Sequence, residues 1–105
     1  MSQKVEETLN RINTHQGVLG VLIVDKNGVA IKTTMSQEQT ILYGSLIMNF
    51  KNKADAAIKR IDKDENIAFI RIRSREHEIM IAPDSAGEFT MIVIQDDPSK
   101  VVEAN

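Results

Sequence analysis

Between Ser36 and Ile61 the chain carries no proline and one glycine, and its apolar residues recur at helical spacing. The spacing predicts one long helix over that stretch. On a wheel at roughly 100° per residue, Leu42, Tyr43, Leu46, Ile47, Phe50, Ala54, Ala57, Ile58 and Ile61 fall in one stripe roughly 160° wide. Lys51, Asn52, Asp55, Lys59 and Arg60 lie outside it. A stripe that broad needs an extended apolar surface beneath it, which a sheet supplies. Ile41 and Met48 fall off the stripe, with the small residues Gly44 and Ser45 between them. Their i, i+3, i+4, i+7 spacing reads as a seam where a second helix approaches closely. The expectation is therefore a helix with one face on its own core and the Ile41, Gly44, Ser45, Met48 face on a partner. The alternative is that Ile41 and Met48 are scattered surface apolars.

A chain of 105 residues is expected to form one domain with one modest core. Hydrophobic content of 42% against 27% charged residues places it among globular chains. The formal net charge is −2 and no Lys/Arg block stands out, which argues against nucleic acid as an obligatory ligand. The apolar run Val21 to Val24 is far too short to span a bilayer. No basic-then-apolar leader is evident at the N-terminus. With no cysteine there are no disulfides or thiolate sites. The expected setting is soluble and cytoplasmic.

Met1 to Gln16 reads as a short amphipathic helix, with Val5, Leu9 and Ile12 on one face and Gly17 as its stop. Val18 to Val24 is a continuous apolar run, expected to be an interior strand buried on both faces. Asp25-Lys26-Asn27-Gly28 is a hairpin turn, and Val29 to Thr34 returns as a half-buried strand. After the long helix, a strand from Ile67 to Ser74 alternates Ala68, Ile70 and Ile72 with Phe69, Arg71 and Arg73. Arg75-Glu76-His77 turns it into a strand from Glu78 to Ala82. Pro83 ends that pairing, because it has no N–H to give. Asp84 to Glu88 is a loop, and Phe89 to Gln95 is a second interior strand. The order α-β-β-α-β-β-β predicts an α+β domain with helices packed on an antiparallel sheet.

No constellation for chemistry is evident. His15 and His77 sit in or beside expected turns, and without cysteine or an H-x-x-x-H they make no metal site. The acidic pairs Glu6-Glu7, Asp62/Asp64-Glu65 and Asp96-Asp97 are charge clusters at element ends, with no cleft to make a dyad of them. The glycines form no nucleotide-binding loop. Arg71 and Arg73 share one strand face, expected to be solvated or salt-bridging, and Arg75 sits in the turn. The expectation is a protein that is not an enzyme and holds no cofactor or metal.

Through Phe69-Ile70-Arg71-Ile72-Arg73-Ser74, Glu78-Ile79-Met80-Ile81-Ala82-Pro83-Asp84 and Met91-Ile92-Val93-Ile94-Gln95, the chain resembles the roadblock-type dynein light chains. The likeness extends to Val5-Glu6-Glu7-Thr8-Leu9, Gly17-Val18 with Gly20, Ile31-Lys32, Thr34-Met35, Tyr43, Ser45-Leu46, Phe50 and Ile61-Asp62. The Ser85-Ala86-Gly87-Glu88 loop looks longer than is usual, and the tail past Pro98 is extended. The resemblance implies a domain over 1–98, a tail over 99–105, and a five-stranded antiparallel sheet with the long helix on one face and the first helix on the other. It also implies a homodimer in which the third strands pair into a continuous ten-stranded sheet and the long helices lie side by side. An open edge at Ile67 to Ser74 is an aggregation hazard unless paired, which gives dimerisation a physical reason. The expected dimer interface is Ile41, Gly44, Ser45, Met48, Ile67, Phe69, Ile70, Arg71, Ile72 and Arg73. The implied partner is a segment of the dynein intermediate chain, expected at Tyr43 and Ile47 or, on the first-helix face, at Val5, Leu9 and Ile12. The competing readings are a regulatory scaffold for a small GTPase and an enzyme of unrecognised type.

Overall fold

The computed structural model describes residues 7, 8, 10–12 and 14–96. Five antiparallel strands form one sheet in the order β2-β1-β5-β4-β3. They are β1 (Val18–Asp25), β2 (Ala30–Thr33), β3 (Ile70–Arg73), β4 (His77–Pro83) and β5 (Phe89–Asp96), with the helix α1 (Gln37–Ile61) between β2 and β3. The strands that carry the apolar runs Val21–Val24 and Met91–Ile94, β1 and β5, lie inside the sheet beside each other, as their patterning requires. Val21, Leu22, Ile23 and Val24 are all buried, alternating between the two faces.

Each face has its own apolar layer. On the α1 side, Leu22, Val24, Ile81, Ile92 and Ile94 pack with Ile47 and Met48 of the helix, flanked by Ile70, Ile72 and Ile79. On the other side Val21, Ile23 and Val93 pack with Val18, Met80, Phe89, Met91 and Ile12. Residues 7, 8 and 10–12 are helical; Val5 and Leu9 lie outside the described residues, as does the tail over 99–105. Each fully buried Leu, Ile or Val contributes about 1.5–3 kcal/mol.

Local chemistry sets the element ends. Ser36 caps α1, its hydroxyl accepting from Gln39 N–H at 3.2 Å, and Asp62 closes the other end through its own N–H to Ile58 O. In the β1–β2 turn only Gly28 has positive φ, at 84°. The turn is therefore a three-residue loop rather than a two-residue one: Gly28 N–H bonds Asp25 O, Asp25 N–H bonds Val29 O, and the Asp25 carboxylate accepts from Asn27 and Val29 N–H. Two residues after Val29, Ile31 bulges out of register, since Ile23 opposes Lys32 and Val24 opposes Ala30.

The expected strand from Ile67 to Ser74 is shorter than its pattern suggested. β3 begins at Ile70, and Ile67, Ala68 and Phe69 lie outside the sheet. Continuing the β3–β4 register would set Ala68 opposite Pro83, which has no N–H for the ladder. β4 itself runs on through Pro83, which pairs with Thr90 on β5.

Candidate interaction surface

The wheel position of α1 decides what this surface is. The helix buries Thr40, Gly44, Ile47 and Met48 against the sheet, with Tyr43, Ala54 and Ile58 half-buried beside them. Two contacts set that rotation. The Thr40 hydroxyl bonds the Thr33 hydroxyl of β2 at 2.8 Å, and Gly44 rides on the β1–β2 turn. A Cβ on Gly44 would stand 2.8 Å from the Gly28 carbonyl oxygen.

This corrects the expected helix faces. Gly44 and Met48, assigned to a seam with a second helix, are taken up within the chain's own core, whereas Ile41 (64% exposed) and Ser45 remain outside. Ile47, a candidate partner contact, is buried in the core as well, and Tyr43 packs against that core. Conversely Leu42, Leu46, Phe50 and Ile61, assigned to the core, are exposed, Leu46 to 58% and Ile61 to 84%. The physical reason is breadth. A stripe that wide overhangs the strip of sheet the helix covers, and the close Gly28–Gly44 approach turns the Leu42 side outward.

Phe50 of the overhanging flank borders a groove of about 530 Å³. Its walls are Phe50, Ala54, Ala57 and Ile58 of α1 on one side and Ile67, Phe69 and Ile70 on the other. Lys59 helps to hold the groove's lower wall, its Nζ donating to Glu65 O and to Asn66 Oδ1 in the connection from α1 to β3. Beyond Ile70, Arg71, Ile72 and Arg73 form the outer edge of the sheet, with no neighbouring strand among the described residues. The other edge, β2, is blunted by the Ile31 bulge and by Lys32.

On the sheet face away from α1, Arg71 and Arg73 stand beside Glu78, a residue the sequence reading passed over. Glu78 is 2% exposed. Its carboxylate accepts from Arg73 Nε at 3.0 Å and Gln95 Nε2 at 2.6 Å, with Arg71 Nε at 3.8 Å. Arg71 also lies over the Phe69 ring, 5.8 Å from its centroid, and reaches Met80 Sδ. The signal was present in the hairpin: pairing I-R-I-R with E-I-M-I sets Arg73 opposite Glu78. With its oxygens engaged by guanidinium and amide, Glu78 is a structural anchor rather than an acid or base aimed at a cleft.

A second apolar depression, about 330 Å³, lies on that same face between Thr8, Ile23, Ala82, Phe89 and Met91. Among the described residues no cluster of His, Asp or Glu could hold a metal ion, and no helix is long and apolar enough to cross a membrane. His15 and His77 are both exposed.

The sequence profile of the Roadblock/LC7 domain matches residues 4–96, nearly the whole chain. The chain belongs to the Roadblock/LC7 domain family. Roadblock/LC7 domains are typically non-catalytic binding or regulatory modules. The fold agrees with solved Roadblock/LC7-type structures. The Roadblock/LC7 domain from Streptomyces avermitilis superposes with a TM-score of 0.74 at 8% identity, covering 86% of this chain and 73% of that one. MglB of Myxococcus xanthus gives 0.73 at 16% identity, covering 90% and 77%. An MglB described in a tetrameric arrangement gives 0.73 at 10% identity, covering 90% and 71%. At such identities the likeness is one of fold. In this Roadblock/LC7 domain the α1 flank, the groove and the β3 edge form the candidate interaction surface.

Proposed function

We propose that this Roadblock/LC7 domain is a non-catalytic light chain of the cytoplasmic dynein motor, acting as a homodimer that holds a segment of the dynein intermediate chain and helps link motor to cargo. One observation carries the binding role: an apolar helix flank, Leu42, Leu46, Phe50 and Ile61, stands exposed, and its Phe50 borders the groove next to a β3 edge that has no neighbouring strand among the described residues. Exposed apolar surface of that continuity, next to unpaired backbone donors and acceptors, favours association. A second copy, brought in along β3, closes both edges and lays the two α1 flanks side by side. The motor assignment rests on the motif likeness over Phe69–Ser74, Glu78–Asp84 and Met91–Gln95 and places the protein in the cytoplasm on the cytoskeleton. With Gly44, Ile47 and Met48 committed to the core, the intermediate-chain segment takes the face opposite α1, around Ile12 and the depression beside Thr8. Its contacts there are mainly apolar, so affinity falls only modestly with added salt.

The alternative is a regulatory scaffold for a small GTPase, which the same fold and an exposed helix flank also suit. Calorimetric titration of the dimer with the intermediate-chain segment separates the two. Saturable heat supports the motor reading. A folded dimer that ignores the segment but retains a small GTPase from cell extract overturns it.

A further inference from the structure

Arg71, Arg73 and Glu78 gain a different meaning if β3 pairs with its symmetry mate, and the inference rests on that proposed dimer. A two-fold axis that joins two β3 strands into one antiparallel sheet stands normal to the sheet, so each face continues onto the same face of the partner copy. Residues directly opposite each other then share a face. In both registers that keep the faces and pair three residues of β3, Arg71 and Arg73 meet the partner copy's arginines, or Phe69, across the seam. Four guanidiniums and two buried Glu78 carboxylates gather on one surface, leaving a surplus of two positive charges. The strand carboxylate Asp96 pairs with His77 and so lies on the α1 side.

We propose that this arginine cluster at the dimer seam, on the face away from α1, is a docking site for an acidic segment of a partner protein. Like charges set opposite each other across strands repel, so the seam gains from an anion. Both arginines are more than half exposed and free to turn part of their donor fork outward, a geometry that suits carboxylates. Phe69 and Met80 flank them and open onto an apolar groove with Ala82 and Met91. That mixture favours an extended segment of acidic and apolar residues over a free anion. Glu78 acts as a positioning residue: it holds the two guanidiniums together and limits their mutual repulsion.

The test uses a fluorescein-labelled peptide of alternating glutamate and leucine, with a glutamine-for-glutamate copy as control, and sizing of every protein by sedimentation. Wild type is expected to be a dimer that binds the glutamate peptide and not the control. Arg71→Gln with Arg73→Gln should lower that affinity at least about tenfold while the dimer holds as well or better. Glu78→Gln, which keeps the bond with Gln95, should move both readouts the other way, with a weaker dimer and a tighter peptide. A merely structural role for the trio would not give these opposed shifts. A monomeric wild type overturns the edge pairing and this site with it. A dimer that binds both peptides alike, or binds neither, overturns this site alone. Displacement of the peptide by inorganic phosphate at equal concentration assigns the cluster to free anions and overturns the peptide occupant.

Discussion

The carbonyl oxygen of Gly28 lies 2.8 Å from the point where a Cβ on Gly44 would sit, so the β1–β2 turn and α1 meet backbone to backbone. Two effects of Gly44→Ala oppose each other there. Alanine raises helix propensity by about 1 kcal/mol over glycine in a helix interior. The new methyl meets a fixed carbonyl at a distance real Cβ atoms essentially never show, and overpacking of that kind costs about 1–3 kcal/mol.

The clash should win, because what must move is backbone. Gly44→Ala is expected to lower the urea midpoint, and Gly44→Leu to lower it further. A midpoint that rises with alanine would mean that the turn yields and that Gly44 is not what fixes the rotation of α1.

Glu78 and Arg73 should respond unequally to truncation. Glu78→Ala removes a buried acceptor and strands Gln95 Nε2, at about 1–3 kcal/mol. Arg73 is 55% exposed, so solvent screens its half of the pair, and Arg73→Ala should cost no more than about 1 kcal/mol. Paired denaturation curves decide this, and equal losses would contradict the anchoring role of Glu78.

The exposed flank of α1 can be probed without disturbing the core. Leu46→Glu and Phe50→Glu change residues that are about half exposed, so circular dichroism should be unchanged. Sedimentation should nevertheless find these variants monomeric where the wild type is not. Self-association that survives both substitutions would remove the flank from the interface.

At the start of α1, Ser36→Ala removes the acceptor for Gln39 N–H and should lower stability by about 1 kcal/mol without changing self-association. Thermal melts at fixed protein concentration check it.

Much of this architecture could be read from residue pattern. Val21–Val24 and Met91–Ile94 are apolar at consecutive positions, a pattern that leaves a strand only the interior of a sheet, and both lie there. The bounds Ser36 to Ile61, set by apolar spacing, hold for α1, with Ser36 as its cap. The rotation of α1 was not readable. Leu42, Leu46 and Phe50 are as apolar as Ile47 and Met48, and a distant contact between two glycines chose between them. Glu78 escaped notice because its burial depends on Arg73 and Gln95 arriving from two other strands. The early start expected for β3 failed through Pro83, which affects a strand that is its neighbour only after folding.

Closure of the β3 edge by a second copy is read from amide hydrogen exchange at Ile70 to Arg73. In an edge strand, alternate N–H groups point to solvent, while those facing β4 are bonded. Exchange should be slow at all four amides at micromolar protein, with the outward pair becoming fast on dilution. Fast exchange of that outward pair at every concentration, beside slow exchange of its neighbours, would contradict it.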